Sequence, residues 1–187
     1  KKSNPNVKVY VGETQTLLFT SRKIEDFGVE ILEIKKSVQY CFYPERHNER
    51  VSSLIHSLFP QMYPVNDIRI TSLNNIGMIL HPTITLLNAG RIDSGEEFKF
   101  YTEGVTRGVA NVLKQVDRER LNILSYLGIK SNSILEWAFY SYNAISNNYY
   151  ELFQKIEAYK TITAPTTLNH RYIIEDVPTG LVAFSSI

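Results

Sequence analysis

Within the apolar run Ile68–Leu87, the dipeptide His81–Pro82 combines a proton carrier with a helix breaker. Histidine changes charge near neutral pH, which suits it to general acid and base work. Proline lacks an N–H and clashes with the carbonyl one turn back, so the spacing predicts a kink near mid-helix and an unpartnered carbonyl at Met78. A kink beside a histidine makes room for a pocket. On an unbroken helix Asn74, His81 and Asn88 recur every seven residues, a polar stripe on an otherwise apolar element. A histidine satisfied inside a core fits the same pattern, and periodicity alone does not separate the two readings.

A second segment, 169–178, places Arg171, Glu175 and Asp176 between Pro165 and Pro178–Thr179–Gly180. Arg171 and Glu175 are four residues apart, the spacing of a helix-surface ion pair; the alternative is a bidentate clamp of Arg171 on a substrate carboxylate. Trp137, beside Phe139 and Tyr140, has core spacing and is also a candidate ligand contact, and the tyrosine-rich stretch Phe139–Tyr150 suits an interface between domains or subunits. His47 and His56, nine residues apart and off a common helix face, speak against a metal pair. No G-x-G-x-x-G or P-loop occurs, so no usual cradle for nucleotide phosphates is expected here.

These residues need elements to hold them. Val7–Val11 and Thr16–Thr20 are rich in β-branched and aromatic residues and read as strands joined by a turn at Gly12; Val29–Tyr43 continues in this style. Glu45–Phe59 has helical spacing and ends at Pro60. From Pro64 the pattern is helical. Asp67 is a candidate cap for a long helix stopping at Asn88–Ala89–Gly90. In Gly104–Gly128, Val105, Val109, Val112 and Val116 form the expected inner row, with Arg118, Glu119 and Arg120 outside. Ser131–Asn132–Ser133 caps a helix through Phe139, and Asn147–Asn148 marks a break before Tyr149–Tyr159.

The 187 residues, 43% apolar, can bury a sizeable core, and 20 basic against 19 acidic side chains, interspersed, offer no field for nucleic acid or an anionic membrane. No apolar run is long enough for a membrane span, and Lys1–Asn6 is polar rather than a signal sequence. Cys41, alone, is expected as a packed free thiol, which fits a reducing cytoplasm. The chain opens near a strand and closes within the apolar run Leu181–Ile187, as a fragment would. The fold class expected is mainly α, a helical domain over 64–187 preceded by an α/β remnant over 1–63.

The stretch Ser72–Leu–Asn–Asn–Ile–Gly–Met–Ile–Leu–His81–Pro, continuing to Asn88–Ala–Gly90, resembles the signature of the octopine/nopaline dehydrogenase family. Phe100–Gly104, Val116–Leu121, Tyr126–Ile129 and the closing Arg171–Tyr–Ile–Ile–Glu–Asp176–Val–Pro–Thr–Gly180 fall in the family's order, and Gly12–Glu13–Thr14 with Leu17 and Arg22 resembles the end of its nucleotide-binding domain. The resemblance implies a Rossmann domain for NAD or NADP, bound mainly outside this chain with Glu13 at its margin, and a helical domain like that of 6-phosphogluconate dehydrogenase. It implies reductive condensation of an amino acid with a 2-oxo acid, with His81 as catalytic histidine, Asp176 as its paired aspartate, and Arg171 holding a substrate carboxylate. Helix geometry favours Asn74 as the neighbour of His81, whereas the family pattern favours Asn75. Ala183 replaces the family's usual proline. A homodimer through the helical domain is compatible. Without the fingerprint, this chain alone is expected neither to bind the dinucleotide properly nor to turn over. Two other classes remain open: a two-domain 2-oxo or hydroxy acid reductase needing no amine, and a non-enzymatic helical dimerisation module in which His81 and Asp176 lie far apart.

Overall fold

A computed structural model describes residues 8–187; Val7, the expected start of the first strand, and Lys1–Asn6 lie outside the described residues. Strands β1 (Val11–Thr14), β2 (Phe19–Lys23), β3 (Val29–Ile34) and β4 (Val38–Tyr43) lead to helix α1 (His47–Leu58) and strand β5 (Met62–Pro64). β4 is the middle of a three-stranded sheet, antiparallel to β1 and parallel to β5, while β2 and β3 form a separate hairpin bulged between Thr20 and Ser21. Gly12 is not a turn residue: it lies within β1 opposite Phe42, and a Cβ there would sit 2.8 Å from the Cys41 carbonyl oxygen. The second strand accordingly starts at Phe19 rather than Thr16. Cys41 is buried and free, on the well-covered strand β4.

The expected long helix is two helices. α2 (Ile68–Leu73) is capped by Asp67, whose carboxylate accepts the Arg69 N–H at 2.9 Å; the chain then breaks at Asn74–Asn75–Ile76, and α3 (Gly77–Leu87) follows. The break therefore lies five to seven residues before His81, and Pro82 is carried inside α3. Nor does the helical path stop at Gly90. Asn88 is a corner into the short α4 (Ala89–Asp93), and the left-handed glycine is Gly95, at φ +76°.

The remaining helices are α5 (Arg107–Tyr126), α6 (Ile134–Tyr142) and α7 (Tyr149–Lys155), then α8 (Arg171–Ile174), a π-turn at Val177–Leu181, and α9 (Val182–Ser185). α5 begins on the Thr106 cap and ends before Gly128, at φ +71°. α6 has a full capping box: the Ser133 hydroxyl takes the Glu136 N–H, and the Glu136 carboxylate takes the Ser133 N–H. Asn148 caps α7.

The inner face of α5 departs from the valine row. Val105 precedes the helix and Val112 is exposed; the buried positions are Val109, Ala110, Leu113, Asp117, Arg120 and Leu124. Arg120, expected outside with Arg118 and Glu119, is 2% exposed. Its guanidinium sits 2.7 Å from Asp117 and donates to Asn74 Oδ1, Ser131 Oγ and the Asn132 carbonyl. Asp117 also accepts from the Ile134 N–H and the Tyr149 hydroxyl. Charge is tolerated in a core when its donors and acceptors are matched in this way. Around it, Ile79, Leu80, Ile84, Phe100, Leu113, Leu124, Ile134, Leu152 and Phe153 pack into one core. Among the described residues no helix is long and apolar enough to cross a membrane.

Candidate active site

His81 sits on the second turn of α3, where its ring needs space on both sides. Gly77, one turn earlier, supplies part of that space: a Cβ there would lie 3.2 Å from the ring carbon Cε1. Tyr172 of α8 stacks on the ring at 4.1 Å between centroids, and Phe100 lies beyond at 6.5 Å. Nδ1 is 2.8 Å from Asp176 Oδ2, and Nε2 is 3.2 Å from the Tyr101 hydroxyl. An ionised carboxylate only accepts, so Nδ1 holds the hydrogen. Nε2 then accepts from Tyr101 when the ring is neutral and donates when it is protonated. Burial pushes the Tyr101 hydroxyl well above the ordinary phenol range, so it keeps its proton and can take either part.

Asp176 lies directly before the π-turn, whose backbone presses against α3. Gly180 makes this approach possible: a Cβ on it would come within 2.4 Å of the Met78 Cβ. The residue whose carbonyl Pro82 deprives of its helical donor is thus also the one against which the closing segment rests. The side chains of His81 and Asp176 are 24% and 12% exposed, wet enough for substrate to reach and dry enough for their hydrogen bond to hold.

Both residues line a cleft of about 650 Å³ between the β2–β3 side and the helices. Arg171 and Asn75 line it too. Arg171 is exposed and pairs with Glu175 at 2.8 Å, so the helix-surface ion pair is present on the cleft's rim. Asn75 lies in the helix break, its Oδ1 accepting the Gly77 N–H at 3.1 Å. Asn74 faces the other way: it is buried, its carbonyl accepts from Gln15 and its Oδ1 accepts from Arg120 and Ser131. The break is what turns consecutive asparagines to opposite sides. Trp137 is buried at the cleft wall, and its indole N–H meets no acceptor among the described residues. Glu13 is not in the cleft; its carboxylate accepts from the hydroxyls of Thr71 and Ser72, tying β1 to α2.

Four cleft residues escaped the sequence reading. Tyr101 and Tyr172, which touch the His81 ring, sat inside quoted motifs without a role, and Arg22 had been noted only as part of the N-terminal resemblance; it donates to the Tyr172 hydroxyl at 3.2 Å. Lys35 gave no signal, being one of two adjacent lysines between strands. The separation of His81 from Asp176 expected of a non-enzymatic module is absent: the two are hydrogen-bonded inside a cleft.

The model of the NAD/NADP octopine/nopaline dehydrogenase alpha-helical domain matches residues 64–187. An opine dehydrogenase of Arthrobacter sp. strain 1C is 36% identical over 186 residues, which is 100% of this chain and 52% of that protein. A vitopine synthase of Allorhizobium ampelinum is 28% identical over 182 residues, 96% of this chain and 50% of its own length. The chain thus spans about half the length of the curated relatives it matches. An octopine dehydrogenase solved with NADH and agmatine superposes with a TM-score of 0.69 at 20% identity, covering 94% of this chain and 50% of that one. One solved with NADH and L-arginine gives a TM-score of 0.63 at 20% identity over the same shares of each chain. At such identity the solved structures speak for the fold, mainly helical with strands at its N-terminal side. The domain match, over about two thirds of the chain, leads to one conclusion: the chain belongs to the octopine/nopaline dehydrogenase family.

Proposed function

We propose that the intact protein is an opine dehydrogenase, which condenses the amino group of an amino acid with the keto carbon of a 2-oxo acid and reduces the resulting imine with hydride from NADH or NADPH. The observation that carries this reading is the 2.8 Å contact between His81 Nδ1 and Asp176 Oδ2 on the wall of a cleft. Addition of the amine to the keto carbon gives a carbinolamine, whose hydroxyl leaves as water once protonated. Protonated His81 supplies that proton from Nε2 while Asp176 holds Nδ1 and steadies the ring's charge. The C=N bond then takes hydride on carbon, and the nitrogen ends with the amine's proton. In the reverse oxidation Nε2 takes its proton back. Arg171 on the rim exchanges Glu175 for a substrate carboxylate and so orients the reacting carbon. Asn75 and Trp137 line the substrate's path, and Asn74 acts at one remove by fixing the helix break.

The dinucleotide supplies the hydride. Among the described residues no glycine-rich turn between a strand and a helix presents N–H groups to a pyrophosphate, so these residues do not fit the cofactor's phosphates. Its binding is assigned chiefly to the part of the intact protein that this chain does not span. On this reading residues 1–63 end the nucleotide-binding domain and 64–187 form the substrate domain, with the exposed Phe139 and Tyr140 of α6 as the contact of a homodimer. The intact protein should consume NADH or NADPH only when a 2-oxo acid and an amino acid are both present. Reduction of the oxo acid at the same rate without amine would identify a 2-oxo acid reductase instead.

A further inference from the structure

The cleft holds an ammonium group that the proposed chemistry leaves unused. Of the ionisable residues lining it, Asp176 is engaged by His81 and Glu175 by Arg171, His170 is held toward its neutral form by burial, and the remaining cations, Arg22 and Lys35, have no carboxylate partner among the described residues. Lys35, in the turn between β3 and β4, is 5% exposed. One of its three N–H groups donates to the Leu17 carbonyl at 2.7 Å, and its Nζ lies 5.9 Å from the centre of the Tyr142 ring. Burial of the ammonium without a counter-charge pulls its pKa down to about 8. A buried charge left unpaired opposes folding, so its place at a cleft wall is explained by what it meets there.

Lys35 is linked to the reaction centre by a row of rings. Tyr101 touches His81 Nε2 and stacks on Tyr159 at 3.9 Å; Tyr159 meets Tyr142 at 5.5 Å, and Tyr142 adjoins Lys35. His81, these three rings and Lys35 line one cleft, so a substrate engaged by His81 shares its cavity with the ammonium. A guanidinium or ammonium brought to the Lys35 end of the cleft would meet the Lys35 ammonium as a like charge with little water to screen it.

We propose that Lys35 reads the far end of the amino-acid substrate, selecting side chains that end in a carboxylate or an amide carbonyl oxygen over those that end in a guanidinium or ammonium. This rests on the opine dehydrogenase reading and differs from the solved relatives, which hold agmatine or L-arginine. The test is a substrate panel on the full-length protein with one fixed 2-oxo acid and NADH: L-glutamate, L-glutamine, L-norvaline and L-arginine. A charge-assisted hydrogen bond predicts kcat/KM for glutamate or glutamine about tenfold or more above that for arginine. The variant K35M should erase this preference through KM with kcat little changed, a split that a merely structural role of Lys35 would not produce, and K35E should turn the preference toward arginine. If glutamate is affected and glutamine is not, the carboxylate is the group read; if both are, the carbonyl oxygen suffices. Wild-type protein that favours arginine overturns the proposal whether or not the variants fold, and so does an unchanged panel in folded K35M. If no pair is turned over at all, the activity reading fails instead, and calorimetric titration of the same four amino acids into wild type decides on Lys35: binding of arginine as tight as that of glutamate overturns it.

Discussion

The helical body and the outer strands β1 to β3 before it use apolar residues differently. The helices bury a continuous apolar core, with some side chains such as Val112, Phe139 and Tyr140 left outside, and even the charged pair Asp117–Arg120 is buried with matched partners. In the strand-rich segment β4 is covered, but all four residues of β1 are exposed, and Val9, Ile24 and Phe27 outside the strands and Val29 and Ile31 of β3 stand in solvent. A polar seam beside the cleft ties this segment to the helices, with Leu32 packed against their core: Glu13 to Thr71 and Ser72, Gln15 to the Asn74 carbonyl, Thr20 to the Tyr142 hydroxyl, and Arg22 to the Tyr172 hydroxyl. The helical body thus carries its own hydrophobic core. The strand segment presents an apolar surface of the kind that marks a place for further protein, while its polar side completes the cleft.

The comparison is broken most readily at its strongest point. Removing one partner of the buried pair, as in Arg120→Met, leaves Asp117 charged in the core and should cost about 3–5 kcal/mol, read from the urea midpoint of this chain. Truncation of core and strand residues should diverge next. Leu113→Ala, at a fully buried position of α5, should cost about 2–5 kcal/mol, whereas Val29→Ala on the exposed hairpin should stay within about 0.5 kcal/mol. Equal costs would remove the contrast. Gly180→Ala inserts a methyl where the π-turn meets Met78 and should cost about 1–3 kcal/mol. Because the shift falls beside Asp176, it should also lower turnover in the intact protein. The smallest effect belongs to a cap: Ser133→Ala should destabilise by about 1 kcal/mol and leave the cleft's chemistry untouched.

Legibility in the sequence followed the range of the physics involved. Caps and stops are local, so Asp67, Ser133, Asn148 and Gly128 could be read from neighbouring residues. The helix break at Asn74–Asn75–Ile76 could not, because periodicity continues across it and Pro82 drew attention to the wrong place. What stabilises the break is Arg120, 46 positions on, together with Ser131. Burial of Arg120 had a signal that went unused. Residues 113, 117, 120 and 124 fall on one helical face, and a charged pair within an apolar stripe calls for a buried network rather than a solvated face. At the site, composition and spacing left His81 between core and chemistry. Its contact with Asp176 spans 95 positions, and only the motif resemblance brought the two together before the structure did. Lys35 and Arg22 stayed hidden because what makes them notable, a place in a cleft without a carboxylate partner, is a property of the assembled walls.

On the function proposed above, His81, held by Asp176, handles the proton in an amine-dependent reduction. The most direct test of this role is kcat of the full-length His81→Asn variant with NADH, a 2-oxo acid and an amino acid, under conditions where circular dichroism shows it folded. Loss of general acid catalysis predicts a fall of about 10²-fold to 10⁴-fold. Turnover within a few-fold of wild type would take the proton-handling role from His81 and return that residue to the core.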